Sequence, residues 1–233
     1  KVKTVIREIE SVLSGNKEID LKSEKRTFTI GCSDYVSMVL LPKVAEIVST
    51  SAPGVTLVIR HLNTLKNLDL FESGKMDLAI GNFGRISDFI YHQKIFTDES
   101  VCVAHKSHPA FQKNKVSIKE YAKYPHILVG LESEPNESYI ASLMLKAGYQ
   151  INVTAIVPHT LTPLYTLRPG TNFIASTVLK IAKGEKSQSQ LSIKPMPLDV
   201  PDYECFQYWH PKDNQDPLHK AVRNIVKEVG KSI

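Results

Sequence analysis

Six side chains have the types and places to hold a small molecule by hydrogen bonds: Ser33, Asp34, His61, Thr64, His159 and Arg168. Ser33 and Asp34, with Ser37 close behind, offer oxygens where a strand hands over to a helix. A helix N-terminus adds free N–H groups and a positive dipole end to such a ledge. The same oxygens serve equally well as ordinary caps. His61 and His159 stand at or just past strand ends, where an imidazole can donate to a carboxylate or phenol. Arg168, in Arg168-Pro169-Gly170, carries a guanidinium that can clamp a carboxylate bidentately or stay solvated. Thr64 is a helix cap, a hydroxyl donor to a ligand, or both.

This is binding chemistry rather than bond-making chemistry. The sequence contains no G-x-S-x-G, no H-E-x-x-H and no phosphate-binding GKS or GKT loop. Histidines at 61, 92, 105, 108, 126, 159, 210 and 219 lack the short spacing of metal ligands. No catalytic residue, metal or cofactor is expected. Gly81-Asn82-Phe83-Gly84 reads as a turn at a strand end before it reads as a phosphate loop.

The elements that must position these groups follow from hydrophobic period. RTFTIGC alternates, with Phe28, Ile30 and Cys32 on one side and Thr27, Thr29 and Gly31 on the other, as a strand does. Met38, Leu41, Val44, Ala45 and Val48 then form a helical stripe. A turn at Ala52-Pro53-Gly54 leads to a strand at 55–61. Asn63 or Thr64 can cap a helix carrying Leu65, Leu68 and Phe71 and ended by Gly74, and 76–81 is a further apolar strand. Strand, helix, strand, helix, strand in so short a span predicts a doubly wound unit, which binds ligands at the C-terminal strand ends.

Strands at 90–96 and 100–105 join without a helix and predict a passage into a second lobe. There, Ser117 and Glu120 have the spacing of a capping box. Strands at 126–130, 151–158, 172–177 and 191–198 alternate with helices at 138–146 and 160–167 and a helical turn through Ile181. A return strand at 203–210 and a helix at 216–230 complete the chain. The predicted fold is α/β, with two doubly wound Rossmann-like lobes joined by two crossover strands, of the type 2 periplasmic-binding-protein kind. Lobe I takes 27–97 and 205–233, and lobe II takes 98–204. Residues 1–15 read as the end of a linker helix and 16–26 as a linker. A ligand held between lobes would couple binding to their angle.

Composition narrows the class. The chain has 233 residues, 42% of them apolar, with 29 basic and 24 acidic residues for a net charge of +5. That surplus is modest, and KEIDLKSEKR at 17–26 is mixed in sign, so no direct DNA contact is expected. Cys32, Cys102 and Cys205 lie in strand-like runs and read as buried thiols of a reducing compartment. No signal peptide or long apolar span is visible, so a cytoplasmic location without membrane contact is expected. The start at Lys1 within a helical stripe (Val2, Val5, Ile6, Ile9, Val12, Leu13) suggests a piece of a longer protein.

Several segments together resemble the C-terminal effector-binding region of LysR-type transcriptional regulators: FTIG at 28–31, LLP at 40–42, APGVTL at 52–57, ESGKMDLAIG at 72–81, HP at 108–109, and a tryptophan seven residues before Asp216-Pro217. SEKRTFTIGCSDY and the PGTNFIAST tract at 169–177 are similar to the branch of the nodulation regulator and the salicylate- and nitroaromatic-responsive activators. The resemblance implies an N-terminal winged helix-turn-helix that makes the only DNA contacts, and a homodimer or homotetramer. It implies a small organic effector between the lobes, and sets Ser33 or a near neighbour, Thr64 and His159 at effector-lining positions. Histidine, threonine and arginine near aromatic residues favour an aromatic or hydroxylated organic anion.

Two other classes use such a scaffold, a periplasmic-type solute-binding protein and a small-molecule lyase or dehydratase, and fold alone does not separate them. A third option is a cleft filled by bulky side chains such as Phe83, Tyr139 and Tyr165.

Overall fold

Arg26–Cys32 (β1) is extended because its threonine, phenylalanine and isoleucine residues suit a pleated, covered surface. The computed structural model describes residues 20–62, 69–84, 86–130, 138–184 and 190–233. The helix Asp34–Ser51 (α1) follows β1 after a single residue. Val55–His61 (β2) lies parallel to β1 with Arg26 opposite Val55 and Cys32 opposite His61. After the short helix Asp69–Glu72 (α2), Leu78–Gly81 (β3) flanks β1 on its other side, also parallel, with Cys32 opposite Ile80. Tyr91–Asp98 (β4) is an edge strand, and the returning strand Tyr203–Trp209 (β10) lies antiparallel to β3. The sheet order is β2-β1-β3-β10-β4.

The alternation of β1 does not separate a wet face from a dry one. Phe28, Ile30 and Cys32 are buried, yet so are Thr29 and Gly31. A central strand of a parallel sheet is covered on both faces. A Cβ at Gly31 would stand 2.5 Å from Met76 Sδ and 2.9 Å from Leu62. The Thr29 backbone N–H donates to Asp77 Oδ2 at 2.7 Å.

The last helix, Pro217–Ser232 (α7), packs against α1 and closes this unit. It runs past Gly230, where the sequence reading ended it. Gly230 is not a stop but a point of close approach: a Cβ there would fall 1.9 Å from Ile95 Cγ2 on β4.

The second unit repeats the plan. Ser100–His105 (β5), Pro125–Val129 (β6), Asn152–Val157 (β7), Ile174–Val178 (β8) and Leu191–Pro195 (β9) form a sheet of order β7-β6-β8-β5-β9. Strands β7, β6 and β8 are parallel, whereas β5 and β9 run against their neighbours. Helices Ile118–Lys123 (α3), Tyr139–Lys146 (α4), Thr162–Thr166 (α5) and Leu179–Gly184 (α6) complete it. Phe111, Tyr121, Leu128, Met144 and Ile174 are at the centre of its core. Ser117 caps α3, its Oγ accepting the Glu120 N–H at 3.2 Å.

Contacts divide the chain where it crosses twice: one unit runs to Thr97 and resumes at Glu204–Ile233, and the other is Asp98–Tyr203. Two α/β units joined by two crossover strands are the type 2 periplasmic-binding-protein plan expected from sequence. Residues 1–14, Thr64 and Asn63 lie outside the described residues.

Candidate functional site

In the first unit, three parallel strands end at one level, because Cys32 lies opposite both His61 and Ile80. Ser33 stands at that end with an extended backbone and caps α1, its Oγ accepting the Val36 N–H at 3.4 Å. This is the ordinary cap that the sequence allowed, held by a long bond. Asp34 is the first residue of α1 and half-buried. Its carboxylate at the helix N-terminus is favourable for the helix and takes up the positive dipole end. Burial, with Asp34 adding negative charge, pushes the Cys32 thiol up to about 12. The ledge is therefore acceptor-rich and suits hydroxyl or N–H groups of a ligand better than a second anion. His61, the last residue of β2, is exposed. The Leu62 N–H donates to the Cys32 carbonyl at 2.9 Å and fixes the chain as it leaves β2.

In the second unit, β6, β7 and β8 also run parallel, with Val129 opposite Val157. His159 comes two residues after β7, exposed, with its carbonyl accepting the Thr162 N–H at 3.2 Å as the chain turns into α5. Arg168 lies just past α5 in a turn closed by Thr171, whose hydroxyl accepts the Arg168 N–H at 3.1 Å and donates to its carbonyl at 2.8 Å. The exposed Arg168 guanidinium donates from Nε to the Tyr165 carbonyl at 3.2 Å, which ties it to its own turn.

Sequence reading passed over Thr177. Its hydroxyl is buried and has no hydrogen-bond partner among the described residues. Carrying forward the register of His126 with Ile174 and Ile127 with Ala175 sets Thr177 level with Val129, at the strand ends. A buried hydroxyl left unpaired is costly. Thr177 closes the PGTNFIAST tract, but nothing in a row of small residues marks which one is orphaned.

The remaining polar groups are structural. His219 donates from Nε2 to the Asp77 carbonyl and accepts on Nδ1 from Arg223, both at 2.8 Å. Arg223 also lies over the Trp209 ring, 4.3 Å from its centroid, and the Trp209 indole donates to Asn214. Trp209 thus packs within its own unit. His108 and His210 cap short 3-10 turns, and His126 donates to the Tyr121 carbonyl at 2.9 Å. Gly84, with φ 66°, donates to Asn82 Oδ1 and makes the expected turn. Phe83 packs on Tyr208, whereas Tyr139 and Tyr165 remain exposed. Cys32, Cys102 and Cys205 are free, buried thiols.

Two α/β units of matching strand order, joined by two crossover strands, define the periplasmic-binding-protein plan of type 2. The family model described as LysR substrate binding domain matches residues 22–231, and the chain belongs to that family. It is 25% identical over 222 residues to the HTH-type transcriptional activator NagR of a Ralstonia species, covering 95% of this chain and 72% of NagR. It is 28% identical over 218 residues to nodulation protein D of Rhizobium leguminosarum bv. trifolii, covering 94% and 67%. Among solved structures, the probable transcriptional regulator PA0477 of Pseudomonas aeruginosa superposes with a TM-score of 0.81 at 24% identity, covering 97% of this chain and 74% of that one. The chain is a ligand-sensing LysR-type regulatory domain, related to the nodulation regulators among others. No helix among the described residues is long and apolar enough to cross a membrane.

Proposed function

We propose that this regulatory domain senses a small hydroxylated or aromatic organic acid and passes its binding on to a winged helix-turn-helix in a homodimer or homotetramer. The observation that carries this reading is the contrast between the two ledges. Ser33 and Asp34 offer oxygen acceptors at the strand ends of the first unit. In the second, His159 follows the end of β7, the Thr177 hydroxyl lies near the end of β8, and Arg168 follows α5. Oxygen acceptors of the first set suit effector hydroxyls, and the imidazole and guanidinium of the second suit a carboxylate. Membership of a regulator family supports the DNA-reading partner, the oligomer and a cytoplasmic location. No covalent step is required.

A thermal-shift screen of aromatic acids, phenols, amino acids and small dicarboxylates tests this. A ligand at 100 times its Kd stabilises by about 2.7 kcal/mol, a rise of roughly 5–10 °C for a chain of this size. The shift is expected to vanish in Asp34→Asn and in His159→Ala. Its persistence in both would remove these residues from the site, and silence across the panel would remove the ligand class.

A further inference from the structure

The segment 106–123 contains five lysines, Lys106, Lys113, Lys115, Lys119 and Lys123, against a single carboxylate, Glu120. Along the sequence they are diluted by Phe111, Val116, Ile118 and Tyr121 and do not look like a cluster. Folding sorts them: Ala110, Phe111, Val116 and Tyr121 are buried in the core of the second unit, and all five lysines are exposed. The segment is also closed on itself. The His108 ring meets the Tyr124 ring at 4.4 Å between centroids, which brings the end of α3 back to the turn at Pro109–Phe111. Gln112 Nε2 donates to the carbonyls of Lys106 at 2.9 Å and His108 at 3.0 Å, so Lys113 is held beside Lys106. Lys119 and Lys123 are one helical turn apart on α3.

The one carboxylate does not neutralise them. Glu120 Oε2 accepts from the Ser117 hydroxyl at 3.3 Å. Among the described residues, none of the five ammonium groups forms an ion pair; the ion pairs present join other residues. Five unneutralised charges on one compact piece repel one another, an arrangement that a polyanion relieves.

We infer that this lysine-rich segment of the second unit docks on the phosphate backbone of duplex DNA, without reading bases. This goes beyond the expectation from sequence, which placed all DNA contacts on a separate N-terminal domain. The residue types choose DNA over an acidic protein. Protein interfaces are depleted in lysine, and their strong contacts come from tryptophan, tyrosine and arginine, whereas the aromatic contact recorded for these ammonium groups among the described residues is that of Lys123 with the half-buried Tyr124. Lysine as a mobile point charge suits phosphate positioning, which carries affinity but no sequence information.

The test is fluorescence anisotropy of a random-sequence 20-base-pair duplex titrated with this chain across a salt series, without effector. Binding is expected to weaken steeply with salt, by roughly one unit of log–log slope per lysine engaged. The triple variant Lys115→Glu, Lys119→Glu, Lys123→Glu is expected to lose at least ten-fold in affinity and about three units of slope. A control reversing Lys25, Lys75 and Lys220, with the same net charge, is expected to keep most of the binding. The triple Lys→Gln variant at the patch guards against helix loss, and should give a smaller loss in the same direction. Equal losses in patch and control variants would overturn the proposal, because binding would then follow net charge alone. So would no binding at low salt, or tighter binding of a polyglutamate competitor than of DNA. None of these outcomes touches the effector reading, which the thermal-shift screen tests separately.

Discussion

Asp216 serves two partners with one carboxylate. Oδ1 accepts the His219 N–H at 2.8 Å and caps α7, and Oδ2 meets Arg26 NH1 at 2.6 Å at the start of β1. The pairing holds Asp216 below the usual carboxylate range despite its burial. Removing a cap costs about 1 kcal/mol, and stranding a largely buried guanidinium costs roughly 3 kcal/mol more. Asp216→Ala is therefore expected to lower unfolding free energy by about 2–4 kcal/mol in a urea titration. Asp216→Asn, which keeps an oxygen for the cap, should lose less. Equal losses in the two would mean that the cap contributes nothing, and no loss in Asp216→Asn would mean the same of the ion pair. Ser33 is the contrasting residue: its capping bond is long, so its loss should cost little stability.

At the scale of elements, α7 decides how the first unit closes. Gly230 lets the helix lie against β4, since any Cβ there would press into Ile95. Overpacking of this kind costs about 1–3 kcal/mol. Gly230→Ala is expected to fall in that range by urea denaturation, and Ile95→Ala in the same chain should recover part of the loss by vacating the space. If the second change only adds its own cost, the contact is not the reason for the glycine. Further along the chain, α5 is shorter than the span read from sequence, ending at Thr166 because Arg168-Pro169-Gly170 follows and Gly170 takes φ 82°. That stop delivers Arg168 to its turn.

The whole molecule carries a pH dependence with a definite sign, because each unit buries a neutral histidine. Burial lowers His219 to about 4, its ring held between the Asp77 carbonyl and Arg223. Burial also lowers His126 to about 4, with the Tyr121 carbonyl taking Nε2–H and Nδ1 buried without a partner. Below an unfolded value near 6.5 the unfolded chain binds protons that the folded chain refuses. Stability is therefore complete above about pH 6.5 and is lost as pH falls toward 4, by up to about 3 kcal/mol for each histidine. Asp213, raised to about 6 by burial, opposes this more weakly, since the folded state there holds the extra proton between pH 6 and about 4. Urea midpoints at pH 7.5 and 5 should differ, the acid value being lower, and His126→Gln should narrow the gap. A midpoint unchanged between those pH values would contradict the neutral assignment. By itself the sequence determined the alternation of strands and helices, the turns at Gly74, Gly148 and Gly170, the Ser117 cap, the three buried thiols and the two-lobed class, because hydrophobic period and local backbone chemistry act over a few residues. Tertiary structure alone decided what depends on partners distant in the chain: the burial of Thr29 beside Asp77, the Thr177 hydroxyl left unpaired among the described residues, the approach of Gly230 to Ile95, and the exposure of five lysines around the buried Phe111, Val116 and Tyr121.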